Sequence, residues 1–100
     1  MSSSELLNYI NGEWCASTAR DRLPVINPAT LESLGDVPLS TAEEVDRATQ
    51  AAQTAFQSWR RVPANERIRY LFKLRELLEQ DYEAIARTIT QECGKTLAES

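Results

Sequence analysis

The sequence predicts an α+β fragment, a β-hairpin and short strands followed by two or three helices, and three observations carry that prediction. Three of the four prolines and all the short β-prone runs lie before residue 40. Beyond it, apolar residues recur at helical spacing. Between the two regimes, Ser40-Thr41-Ala42-Glu43-Glu44 has the composition of a helix start. The expected division is therefore 1–39, strands, and 40–100, helices. At 100 residues, 42% hydrophobic and 26% charged, the chain has material for one core at most.

The first element is a hairpin over about residues 7 to 16, because Tyr9-Ile10-Asn11-Gly12-Glu13-Trp14 sets two β-prone pieces around Asn-Gly. A type I′ turn needs positive φ at both central residues, and Asn-Gly supplies it. Leu23 to Ile26 reads as a second short strand ending at Asn27-Pro28, where the residue before proline is held extended and a turn begins. Ser33 to Pro38 reads as a further strand, with Leu34 and Val37 as its apolar residues. These pieces predict a small antiparallel arrangement.

Two overlapping capping boxes, Ser40 with Glu43 or Thr41 with Glu44, predict the start of the first helix. Val45, Ala48, Ala52, Ala55, Phe56 and Trp59 form its apolar stripe. Pro63 suits the first turn of a second helix, where its missing N–H costs nothing. Ile68, Leu71, Phe72, Arg75 and Leu78 mark the inner side of that helix and Leu74 and Leu77 widen it, which predicts burial on a broad face, with Lys73, Glu76 and Glu79 pointing outward. Asp81 is a candidate cap for a third segment, in which Tyr82, Ile85, Ala86, Ile89 and Cys93 share a face and Gly94 supplies the stop. The pattern leaves open whether the second and third helices run continuously through Gln80-Asp81. Thr96-Leu97-Ala98-Glu99 repeats the capping-box pattern, so the chain is expected to be a piece of something longer; the alternative at this site is a frayed polar tail.

Composition excludes several kinds of chemistry. There is no histidine, and the three glycines, Gly12, Gly35 and Gly94, are scattered, as are Cys15 and Cys93. A Ser-His-Asp triad needs an imidazole, a zinc site needs clustered His and Cys, and a dinucleotide fingerprint needs closely spaced glycines. Gly94-Lys95-Thr96 echoes the end of a phosphate-binding loop, but the glycine required five residues earlier is Ile89. Cys93, beside Glu92 and Lys95, has no base to hold a thiolate, and its place on an apolar stripe predicts a buried, inert thiol; Cys15 reads the same way. Glu43 and Glu44 suit the dipole of a helix's first turn better than acid-base work. The expected site residues are accordingly none, whether catalytic, cofactor-binding or metal-binding.

The net charge of −4 argues against a chain built to neutralise phosphates. Arg60, Arg61, Arg67, Arg69, Lys73 and Arg75 against Glu66 alone give a local charge of +5, which reads as a solvated face. Tyr70 and Phe72 read as packing residues, not as a stacking platform, so no nucleic-acid partner is expected. No apolar run approaches the roughly 20 residues of a membrane span. The start, Met1-Ser2-Ser3-Ser4-Glu5-Leu6-Leu7, lacks the basic residues of a secretory signal and the glycine of a myristoylation site. Two isolated cysteines then predict reduced thiols and a cytoplasmic location.

The order of these features is more specific than any one of them. Tyr9-Ile10-Asn11-Gly12-Glu13-Trp14, Val25-Ile26-Asn27-Pro28-Ala29-Thr30, Gly35-Asp36-Val37-Pro38, Ala55-Phe56-Gln57-Ser58-Trp59, Glu66-Arg67 and Glu92-Cys93-Gly94-Lys95-Thr96-Leu97 together resemble the amino-terminal region of the aldehyde dehydrogenase superfamily over nearly the whole chain. Phe72 to Glu79 and Gly94 to Glu99 look most like the methylmalonate-semialdehyde branch, which acylates coenzyme A; the succinate-semialdehyde and betaine-aldehyde branches are similar here. The sequence departs from the family at Leu31, where relatives usually carry glycine after Asn-Pro-Ala-Thr, and this puts the geometry of that turn in question.

The resemblance implies an α/β enzyme several times longer, with a Rossmann-like NAD domain, a catalytic domain and an oligomerisation arm, assembling as a dimer or tetramer. It implies aldehyde oxidation by a cysteine thiolate, hydride transfer to NAD, and release of the acyl group to water or coenzyme A. The family's catalytic cysteine, glutamate base and oxyanion-hole asparagine lie far downstream and have no counterpart here; Cys93 stands at a variable position of the Glu-x-Gly-Lys segment. The expected partners are the remainder of such a chain and, for the whole enzyme, a small aldehyde. The competing expectation is a free-standing helical interaction module without a catalytic region.

Overall fold

The computed structural model describes residues 5–100; Met1 to Ser4, part of the start read as lacking a targeting signal, lie outside the described residues. Strands β1 (Asn8–Ile10) and β2 (Glu13–Cys15) form the predicted hairpin, with Ile10 opposite Glu13. Asn11 and Gly12 take φ of 54° and 78°, the two positive values of a type I′ turn. Tyr9 and Trp14 are cross-strand partners whose ring centroids lie 4.9 Å apart, tilted at 53°. Such a pair adds roughly 0.5–1 kcal/mol to a hairpin that is marginal by itself.

Strands β3 (Arg22–Ile26) and β4 (Ser33–Pro38) form a second antiparallel pair, with a bulge between Val25 and Ile26. The connecting turn is closed by Asn27, whose Oδ1 accepts from the amides of Ala29 and Thr30 at 2.9 and 3.3 Å. The Leu31 amide donates to the Asn27 carbonyl at 2.8 Å, and the Asn27 amide donates to the Glu32 carbonyl at 2.9 Å. That closure sets Leu31 at φ 63°. A leucine thus occupies a conformation that costs an L side chain roughly 1–2 kcal/mol and that glycine adopts freely.

Helix α1 (Ala42–Trp59) uses the second of the two candidate caps. The Glu44 amide donates to Thr41 Oγ1 at 3.2 Å, and the Thr41 amide donates to Glu44 Oε2 at 3.4 Å. Helix α2 (Ala64–Gln80) follows Pro63, which stands at the N-cap, one position outside the first turn predicted for it. There its carbonyl accepts from the amides of Glu66 and Arg67, both at 3.0 Å, while its missing N–H is lost to nothing. Trp59 and Tyr70 meet edge to face at 5.3 Å and 73°, fastening the end of α1 to α2.

Helix α3 (Tyr82–Cys93) is separate from α2, the break being Asp81 at φ −99°, ψ 14°. Asp81 makes no side-chain cap; its backbone serves both helices instead, donating to the Leu77 carbonyl at 3.1 Å and accepting from the Ile85 amide at 2.9 Å. Gly94 ends α3 at φ 74°, and a Cβ there would lie 3.2 Å from Pro28 Cγ. Glycine is therefore required twice over, for its conformation and for the close approach of the β3–β4 turn. Thr96 and Glu99 form the predicted capping box, around a single 3-10 turn at Leu97–Glu99.

Packing departs from the expected burial. Along the stripe of α1, Val45 is 59% exposed and Phe56 55%. No residue of α2 is buried, Tyr70 and Phe72 included, and on α3 only Ala86 is buried. The Cα radius of gyration is 17.2 Å, against about 13 Å for a compact domain of this length. The accessible surface is 8349 Å², against about 5700 Å² for a compact monomer of 11.3 kDa. The stripes have helical spacing, and among the described residues nothing covers them. Among the described residues, no helix is long and apolar enough to cross a membrane.

Candidate functional site

The most highly built polar cluster lies where the β2–β3 connection meets the start of α1. Glu44 is 5% exposed. The Ser17 hydroxyl lies 2.7 and 3.0 Å from its two carboxylate oxygens. The Thr18 amide and hydroxyl donate to Oε1 at 2.6 and 2.9 Å, and the Thr41 amide reaches Oε2 as described. Ser17 Oγ also accepts from the Ala19 amide at 3.0 Å, which fixes the hydroxyl's direction.

These donors hold the Glu44 carboxyl at about 2, well below its ordinary 4.5. The Ser17 hydroxyl contributes most and the Thr18 amide next; burial pushes the other way, and the Thr18 hydroxyl and Thr41 amide add smaller lowering effects. A carboxylate saturated with donors and ionised at every physiological pH is poorly suited to proton transfer, which needs a pKa near the working pH. Its evident work is to join two segments. The capping-box spacing points to Thr41 as its partner; Ser17 and Thr18, 26 to 27 residues away, carry no local signal of the pairing.

Beside this latch, the hairpin and α1 enclose an open cleft of about 470 Å³. Asn8 Nδ2 closes one end by donating to Ser40 Oγ at 2.9 Å. Tyr9, Ile10, Val45 and Ala48 supply apolar walls. The one charged lining residue is Glu44, so a dinucleotide diphosphate would meet no cation and one carboxylate there. The residues of this cleft do not fit NAD. The positive end of the α1 dipole is likewise already engaged by Thr41 and Glu44.

The remaining sequence candidates are dispersed. Gly94-Lys95-Thr96 follows a helix, whereas a phosphate-binding loop follows a strand. Cys93 is exposed at the end of α3, not buried as its stripe predicted, because the face it shares with Tyr82 and Ile85 is uncovered; Cys15 is half-buried in β2. Both cysteines are free thiols. Of the basic run, Lys73 pairs with Glu76 at 3.3 Å as an outward residue, and Arg75, expected on the inner side of the helix, is instead exposed and pairs with Glu79 at 3.1 Å, because among the described residues no element packs over that side. Such surface pairs contribute little, at most about 0.5 kcal/mol each. Among the described residues, no group of three or more His, Cys, Asp or Glu side chains is placed to hold a metal ion.

Comparison with known proteins completes the picture. The Aldehyde dehydrogenase family profile matches residues 14–100. Malonate-semialdehyde dehydrogenase 1 of Geobacillus kaustophilus is 47% identical over 95 residues, which is 95% of this chain and 20% of that protein. The crystal structure of succinate-semialdehyde dehydrogenase from Burkholderia pseudomallei superimposes with a TM-score of 0.87 at 41% identity, over 94% of this chain and 20% of that one. An aldehyde dehydrogenase from Pseudomonas syringae, solved with NAD+ and octanal, gives a TM-score of 0.89 at 32% identity, over 94% and 19% respectively. The chain spans about a fifth of the length of the relatives it matches. With the profile matching residues 14–100 and relatives such as the Geobacillus protein 47% identical over 95% of its length, the chain belongs to the aldehyde dehydrogenase family.

Proposed function

We propose that these 100 residues are the amino-terminal structural part of an NAD-dependent semialdehyde dehydrogenase, and that the residues doing the chemistry belong to the remainder of that enzyme. In this reading the strand segment 1–39 and the helical segment 40–100 pack together on the cofactor domain. NAD supplies the hydride acceptor, bound by residues outside this chain. The substrate is the semialdehyde of a short dicarboxylic acid, of the malonate, methylmalonate or succinate type, and water or coenzyme A takes the acyl group. The whole enzyme works as a homo-oligomer in the cytoplasm.

The uncovered apolar surface carries this reading. The chain exposes roughly 2600 Å² more than a compact monomer of its mass. That excess matches one side of the largest obligate interfaces, which bury about 5000 Å² in total and so about 2500 Å² per side. It coincides with helical stripes whose spacing is that of packed helices. A free-standing module would be expected to close its own core first.

The test is to titrate the purified chain with NAD and to assay semialdehyde oxidation. No saturable NAD binding and no turnover are expected. Turnover by the chain alone would overturn the reading that its sites lie elsewhere.

A further inference from the structure

We draw no further inference here: the strongest candidate, the apolar groove along α2 into α3 lined by Leu71, Leu74, Leu78 and Tyr82, carries nothing because nothing in the structure shows what covers it.

Discussion

Replacing Leu31 with glycine and, separately, with alanine separates the cost of its backbone from the worth of its side chain. The side chain is 78% exposed, so both variants lose little buried surface. What differs is the backbone at φ 63°, which glycine accepts and alanine does not. Relief of about 1–2 kcal/mol, set against glycine's extra chain entropy of about 0.5–1, leaves the glycine turn more stable than the alanine turn by roughly 0.5–1 kcal/mol. The assay is hydrogen exchange at the Asn27 amide, whose bond to the Glu32 carbonyl closes the turn. This amide reports local opening and requires no cooperative global melt. After correction for intrinsic rates, exchange in Leu31→Gly is expected to be about two- to fivefold slower than in Leu31→Ala. Equal or faster exchange in the glycine variant would show that the turn is not strained there.

Gly94→Ala is expected to weaken the end of α3 by 1 kcal/mol or more, since it combines a left-handed cost of about that size with a 3.2 Å approach to Pro28 Cγ. Gly12→Ala, where nothing lies within 4 Å, should cost less, and exchange of the residue-94 amide, bonded to the Thr90 carbonyl, and of the Glu13 amide across the hairpin turn checks the order. Ser17→Ala removes the largest influence on Glu44, so the Glu44 carboxyl, followed by carbon NMR, should titrate above about 2 and nearer 4.5. Because the folded value is depressed, the latch is fully present above about 4.5 and is lost as pH falls toward 2; protection of the Thr18 amide, after correction for the intrinsic pH dependence of exchange, should fall across that window and stay flat above it. Finally, the uncovered stripes predict that the chain binds a hydrophobic dye and self-associates. A monodisperse chain with no dye signal would count against the exposed faces being interfaces.

What was legible in the sequence was local. Asn11-Gly12 states its own turn because both positive φ values belong to two adjacent residues. Thr41 with Glu44, and Gly94 after Cys93, are legible for the same reason, each motif completing itself within four residues. The two alternatives left open at helix boundaries were decided by terms too small to read from pattern. Thr41 was chosen over Ser40, and the chain broke at Asp81 although Leu77, Leu78, Tyr82 and Ile85 keep a nearly unbroken apolar rhythm. In the sequence Leu31 stands out only as a departure from the family's glycine; its strain follows from the Asn27–Glu32 closure, a tertiary constraint that fixes its φ.

The candidate site was less legible. Glu44 serves two masters, its own helix and the Ser17-Thr18 step, and the second lies across a tertiary contact that no spacing rule describes. Periodicity identified Phe56, Leu71, Leu74 and Cys93 as members of packing faces, which is a statement about what those faces are made for. It says nothing of whether the covering element is present, and here they remain exposed.

The central claim is that this chain contributes structure to a dehydrogenase and leaves its chemistry and selectivity to the rest. The most direct measurement replaces the matching fifth of the Geobacillus kaustophilus relative with residues 1–100 and compares kcat/KM of parent and chimaera across malonate, methylmalonate and succinate semialdehydes with NAD. The account predicts that the chimaera assembles, turns over, and keeps the parent's order of preference among the three. A chimaera that binds NAD and assembles as the parent does, yet loses turnover or reverses that order, would contradict it by placing catalytic or selectivity-determining residues within these 100.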